Sequence, residues 1–440
     1  MKSRGLILAS LVLAALSGTL YWSNHRKPAE SSPKASVETP PKLLTINQAD
    51  ITSVEIKKKG GEDVTLAKND AGKWQITSPK ELGADRDAVS SMLSTLSSLG
   101  ADRLIEEKAD NLEPYGLIDP QIEVNVTEKS KKTEKLLIGD ATPAGSTFYA
   151  ALAGDPRVFT LASYNKSSFD KGLKELRDKR LMTFETDKVI RLELWAKKQS
   201  VEFGRNKDQW QIVKPRPLRA DQFLVEDLLR TLEDAKMDFS GSDDEKKAAT
   251  AFHSGTAVAT ARVTDASGTQ ELQIRKSKEN YYAKSSVVQG IYKVTSGTAT
   301  GLDKSLEDFR HKKLFDFGFV EPDKLEMHDG AKTYTLARSG SDWWSNGTKM
   351  DESSVRMLVD RVRDLSSSKF VDRGFTMPVL DLAVTSNEGK HVEKVLISKN
   401  GDRYVAKREN EPALYELDAA AVRELEKAAA DIKPSPAPKK

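Results

Sequence analysis

The chain repeats itself three times, and this restricts its fold more than any other feature of its 440 residues. Trp74-Gln75-Ile76-Thr77-Ser78-Pro79 returns as Trp210-Gln211-Ile212-Val213-Lys214-Pro215. Eleven residues after each Trp stands an Asp, Asp85 and Asp221. In the third copy Trp343 precedes Asp351 by eight residues, and the Pro is absent. Counting from the Asp, offsets +4, +7, +8 and +11 are apolar in every copy. They are Val89, Met92, Leu93 and Leu96, then Val225, Leu228, Leu229 and Leu232, then Val355, Leu358, Val359 and Val362. Those offsets share one face of a helix with 3.6 residues per turn. Each Asp reads as the N-cap, its carboxylate accepting from exposed amides of the first turn.

Other elements recur in step. Pairs of short alternating runs precede each Trp, as in Val54-Glu55-Ile56 and Val64-Thr65-Leu66, and more follow the helix, as in Ile122-Glu123-Val124-Asn125-Val126. A Tyr (Tyr149, Tyr282, Tyr404) then precedes a second aromatic (Phe159, Tyr292, Tyr415) by ten or eleven residues. Two copies finish on a basic cluster, Arg177–Arg180 and Arg310–Lys313, which reads as a helix end; the third stops short of it. The pattern predicts an α+β fold of three tandem repeats after an N-terminal membrane anchor. Each repeat has mostly antiparallel strands, one long helix and a closing helix. The repeats are placed at 44–185, 186–318 and, shortened, 319–432.

Outside the repeats the composition changes. Residues 5–22 carry no charge and follow Lys2 and Arg4. As a helix they would span roughly 27 Å, close to the hydrocarbon thickness of a bilayer. Leu6, Leu8, Leu11, Leu13 and Leu16 form the apolar body, and Tyr21 and Trp22 stand where an aromatic belt would lie. The run reads as an uncleaved anchor over 1–22. A cleaved signal peptide with Ala15-Leu16-Ser17 at its recognition site is the competing reading. A linker rich in Pro, Ser and charge is expected over 23–43 and a disordered tail over 433–440. Either reading of the N-terminus places the body on the extracytoplasmic side, and the anchor reading makes it a single-pass protein of the inner membrane. The net charge of +3 resides in the ends: Lys2 with Arg4, residues 23–43 and the last eight residues carry +2, +2 and +3, leaving 44–432 at −4. An acidic body is a poor match for nucleic acid.

Chemistry is sparse. There is no cysteine, which excludes thiolate nucleophiles, disulfides and thiolate metal sites. His25, His253, His311, His328 and His391 fall in no zinc spacing, and Gly139–Thr147 lacks the Lys of a phosphate loop. Asp243-Asp244-Glu245 reads as a solvated helix start rather than a calcium loop. No catalytic residue, cofactor, metal or small-molecule substrate is expected. Trp74 and Trp210 read as core or hinge residues. Trp343 and Trp344, with Tyr281-Tyr282, are candidates for an exposed aromatic surface. Arg177, Arg180, Arg310 and Lys313 are candidates for contact with anionic lipid or an acidic partner.

The Trp-x-Ile-x-x-Pro step, together with Tyr115-Gly116-Leu117-Ile118-Asp119-Pro120 and Leu137-Ile138-Gly139-Asp140, resembles the bacterial domain-of-unknown-function family 4340. The resemblance implies a membrane-anchored extracytoplasmic protein that accompanies gliding-motility-type ABC transporter components. The expectation is a non-enzymatic accessory or scaffold with transporter subunits as partners. The alternative is a cell-envelope glycan-binding module using exposed aromatics.

Overall fold

The computed structural model describes residues 42–207, 209–240 and 245–436. The anchor residues Leu6 to Trp22, the linker as far as residue 41, Asp243, Asp244 and residues 437–440 lie outside them. Among the described residues no helix is long and apolar enough to cross a membrane. The fold is α+β, with three antiparallel sheets and, among the described residues, eight α-helices. It forms two compact units, one ending at Asp178 and the other beginning at Lys179. The first holds repeat 1 around its own core. The second holds repeats 2 and 3, whose buried residues run together from Leu181 to Ala429.

Each repeat opens with a meander whose alternating residues bury one face. In repeat 1 this comprises Ile51–Lys58, Val64–Lys68, Trp74–Ser78 and Leu82–Gly83. The chain then passes through helix α1 (Arg86–Ser97) and returns to the far side of the first strand. There Ile122–Glu128 pairs antiparallel with Ile51–Lys58, placing Val54 opposite Val126. A second meander continues through Thr133–Ala141, Thr147–Leu152 and Val158–Ala162, and Arg103–Glu106 forms the sheet edge. Repeats 2 and 3 follow the same path around α2 (Gln222–Glu233) and α3 (Glu352–Asp364). Repeat 2 has no named strand at the position of Arg103–Glu106, whereas repeat 3 has Ser367–Val371 there. The shorter Trp-to-Asp spacing of repeat 3 reflects an Asn346-Gly347 hairpin turn, both residues at positive φ. Ser78-Pro79 and Lys214-Pro215, both cis, occupy that place in the other two.

The helical face reads as the periodicity predicts: all twelve apolar offsets are buried. The three Asp residues cap as predicted, accepting from Ala88 N, Leu224 N and Ser354 N at 2.9, 3.1 and 2.9 Å. Backbone bonds that no side chain announces hold each long helix at both ends. Before the helix, the amides of Asp85, Asp221 and Asp351 donate to the carbonyls of Leu176, Phe309 and Lys433, where the chain leaves the repeat. After the helix, the amides of Leu43, Leu181 and Leu314 donate to the carbonyls of Leu99, Ala235 and Leu365, where the chain enters. Isolated bridges extend both contacts: Ala84 with Arg177, Ala220 with Arg310 and Met350 with Pro434 on leaving, Lys42 with Gly100, Arg180 with Lys236 and Lys313 with Ser366 on entering.

These segments correct three expectations. Residues 177–180 and 310–313 are extended chain after a single helical turn, because their backbones pair with the flanks of the long helices. Lys42 and Leu43 belong to the fold rather than to a linker, since they make the same lead-in contact as Arg180-Leu181. Lys433–Ser435 are not a free tail: Ser435 N donates to Lys349 O at 2.9 Å, so repeat 3 has its lead-out segment too. Its closing helix, Ala419–Ala430, buries Val422, Leu425, Ala428 and Ala429.

Loss of a cap should be felt locally. Asp221→Ala is expected to cost about 1 kcal/mol in urea unfolding of the second unit, with Asp221→Asn close to neutral because Asn caps equally well. Equal losses for both variants would contradict a capping role.

Candidate functional site

The three tryptophans of the repeat occupy one register position. Trp74, Trp210 and Trp343 stand opposite Lys68, Arg205 and Arg338 on the neighbouring strand. The cations of Lys68 and Arg205 lie 5.3 and 5.6 Å from the ring centroids. Trp210 and Trp343 are buried and Trp74 is half-buried. This corrects the expected Trp343–Trp344 surface. Successive strand residues point to opposite faces, so Trp343 at 4% exposure faces the core and leaves Trp344, at 37%, without it. Tyr281 and Tyr282 are both only half-buried and diverge in the same way. The repeated Tyr shifts register in copy 3: Tyr404 stands where Phe148 and Tyr281 stand, one residue from Tyr149 and Tyr282. Arg177 and Arg310 are buried rather than displayed. The guanidinium of Arg310 sits 3.4 Å from the Phe370 ring centroid. Arg180 is exposed, and Lys313 is half-buried with Nζ 3.5 Å from Asp364.

With the core face of each sheet fixed by the long helix, the copies differ on the outer face of the second meander. Gly139, Arg275 and Ser398 occupy one position there, each preceding residue pairing with the matching alanine, Ala150, Ala283 or Ala406. Each fastens a different cover. In copy 1 the loop between Glu106 and Ile122 folds back so closely that a Cβ on Gly139 would lie 2.1 Å from Tyr115 O. Gly116 turns there at φ +66, and a Cβ on it would collide with Asp140. Thus two of the motifs that carry the family resemblance, Tyr115–Pro120 and Leu137–Asp140, meet in space. Tyr115 packs edge-on against Tyr149, ring centroids 4.9 Å apart. Its hydroxyl is held by Glu106, which with burial pushes its pKa up. Leu117, Ala151 and Val158 form a small core beneath this loop.

In copy 2 the cover is a helix, Glu245–Ser254, packed on Gly268–Ser277, Asn280–Ser285 and Ile291–Val294. Arg275 holds its end, its Nη1 3.3–3.5 Å from the carbonyl oxygens of Phe252, His253 and Gly255, and stacks over buried Phe252. In copy 3 the connection is only Asp372–Met377, fastened where Thr376 N donates to Ser398 Oγ at 3.2 Å. A groove of about 610 Å³ remains there. Val371 to Gly374 form one wall, Val405 and Glu416 the floor, and Asn400 and Arg403 the other side. Val405 and Val371 correspond in register to Tyr149 and Glu106, so the groove lies where copy 1 places the Tyr115 ring.

A second cluster ties copies 2 and 3 together. From copy 2, Arg219 reaches Asp316 Oδ2 at 2.5 Å and Glu411 Oε1 at 2.8 Å, and also donates to Lys313 O. Arg408 reaches Glu411 and Glu393 at 2.9 and 3.0 Å. Tyr415 donates to Glu411 at 2.5 Å. Burial disfavours ionised Asp316, but the hydrogen bond with His311 and the charges of Arg219 and Arg408 outweigh it. They hold the carboxyl well below the usual carboxylate range. Burial raises the Tyr415 hydroxyl, with Arg219 opposing and Glu411 reinforcing. Sequence reasoning missed this cluster because its members are up to 196 residues apart.

Removing Arg219 leaves Asp316 and Glu411 with Arg408 as their one remaining guanidinium partner among the described residues. Arg219→Met is expected to destabilise the second unit by about 2–3 kcal/mol, less than a fully buried pair because Asp316 is partly exposed. A group whose folded pKa is depressed stabilises fully above its unfolded pKa and loses that contribution as pH falls. Asp316→Asn should therefore lower the urea midpoint at pH 7, with the gap to wild type closing below about pH 4. A gap that persists unchanged into acid would contradict the ionic role.

Among the described residues no group of three or more His, Asp or Glu is placed to hold a metal ion. No curated protein and no solved structure matches the chain. The family model described as Domain of unknown function (DUF4340) matches residues 74–211 and again 210–383. Both matches begin at the repeat Trp and run into the next repeat, the first just past its Trp and the second past α3. Together they span well over half of the sequence, and the chain belongs to the family of the domain of unknown function DUF4340.

Proposed function

We propose that the protein is a non-enzymatic scaffold, tethered to the inner membrane through residues 1–22 and facing the extracytoplasmic side, where it accompanies an ABC-type transporter complex. The observation that carries this reading is one frame built three times with three different outer covers. Repetition of this kind enlarges a surface that can engage a partner at several points, rather than building one deep reaction site. The three helix-opening Asp residues are committed to capping, and the carboxylates of the Arg219 cluster to joining copies 2 and 3. The membrane and transporter elements rest on the apolar N-terminal run and the family resemblance. The glycan reading gains no comparable support, since Trp344 lacks Trp343 as a neighbour on its face.

Crosslinking in intact cells, with residues 1–41 retained, tests the proposal. A membrane-protein adduct is expected, and its yield should fall when residues 1–22 are removed. Recovery of no membrane partner would count against it. So would retention on peptidoglycan or polysaccharide that disappears in Trp344→Ala, which would favour the glycan module instead.

A further inference from the structure

We propose that the groove on the outer face of the third sheet receives an acidic segment of a partner protein, with an aromatic side chain entering between Val371 and Val405. The proposal rests on the scaffold reading and names its docking site. The nature of the occupant follows from the other two copies. At the matching place copy 1 inserts Tyr115 from its own loop, and copy 2 covers the outer face with a helix that buries Phe252. Copy 3 has the same sheet but only six residues, Asp372–Met377, where copy 1 has the fifteen from Glu107 to Gln121. Its loop crosses the sheet in one short pass, a Cβ on Gly374 falling 3.5 Å from Val405 and Thr376 N reaching Ser398 on the next strand.

Charge selects an acidic occupant. Asp372 is paired with Arg216 at 3.4 Å, and Glu416 with Lys369 at 3.3 Å. Arg403 lies 3.9 Å from Glu416 and is largely exposed, and Arg373 makes no ion pair with any described residue. Both lining carboxylates are thus paired from outside the groove, which leaves the exposed guanidinium groups of Arg373 and Arg403 on its rim. An opposing carboxylate meets a guanidinium fork that can hold it through two parallel hydrogen bonds.

The cover of copy 1 supplies a probe of the required chemistry. A fluorescent peptide with the sequence of residues 106–120 carries five carboxylates against one lysine, together with the tyrosine that fills the matching space in copy 1. Titrated with the full chain and followed by anisotropy, it should bind saturably at one site. Arg373→Glu combined with Arg403→Glu should weaken binding at least tenfold, and so should replacing the probe's tyrosine with alanine. Both arginines lie on the surface, and an unchanged thermal midpoint will show that the double variant is folded. Arg373→Gln with Arg403→Gln should give a smaller loss in the same direction. Absence of saturable binding, or binding indifferent to the charge reversal, overturns the proposal. In cells the same double variant separates the two readings. Partner crosslinks retained at the wild-type level reject the groove and leave the scaffold standing, whereas absence of any partner even in wild type rejects the scaffold itself.

Discussion

The rest of the structure depends on the backbone hydrogen bonds that clasp each long helix between the segments by which the chain enters and leaves its repeat. A helix of twelve or thirteen residues is marginal alone in water, and its ends leave amides and carbonyls without partners. Here the Asp side chain satisfies one amide inside the first turn, while the Asp backbone amide pairs with the departing chain. Just beyond the other end, the carbonyls of Leu99, Ala235 and Leu365 pair with the arriving chain. The helix is thereby pinned over one face of the sheet, where its four aliphatic side chains per copy enter the core. Repeats 2 and 3 share one strap: only two residues lie between the lead-out contact of Arg310 and the lead-in contact of Lys313.

Fixing the inner face leaves the outer face free to diverge. The position shared by Gly139, Arg275 and Ser398 shows how little must change to do so. A glycine admits a close-packed loop, an arginine gathers the carbonyls of a helix end, and a serine accepts one amide of a short turn. The frame stays the same because none of these residues faces the core. Copies 2 and 3 are also not independent bodies. The Arg219 cluster and the stacking of Arg310 on Phe370 weld copies 2 and 3 through side chains that copy 1 does not carry at the matching places, Gly83 and Leu104 among them.

Much of this was legible in the sequence wherever a side chain reports its own environment. Offsets such as Val225 and Leu228 announce a buried helical face, and Asp221 announces its start. The clasps were not legible, because amide-to-carbonyl bonds such as Leu181 N to Ala235 O leave no residue signature; the basic clusters beside them therefore read as helix ends. The direction of Trp343 was lost because a Trp pair gives no clue to which member points inward until the strand register is known. The lead-in pattern of Lys42-Leu43-Leu44-Thr45-Ile46 matches Arg180-Leu181-Met182-Thr183-Phe184 and Lys313-Leu314-Phe315-Asp316-Phe317, and that match could have placed the start of repeat 1. The groove was half visible: copy 3 has no counterpart of Gly116-Leu117-Ile118-Asp119-Pro120, and the short Asp372–Met377 connection stands in its place.

The central claim is that each repeat is closed by its own lead-out segment, so that the third copy is complete only with Lys433–Ser435 in place. Amide hydrogen exchange on the full chain and on a chain lacking residues 433–440 tests this most directly. Removal should expose the Asp351 amide and loosen the first turn of α3, while protection at Asp85 and Asp221 stays unchanged. Undiminished protection at Asp351 after the truncation would contradict it.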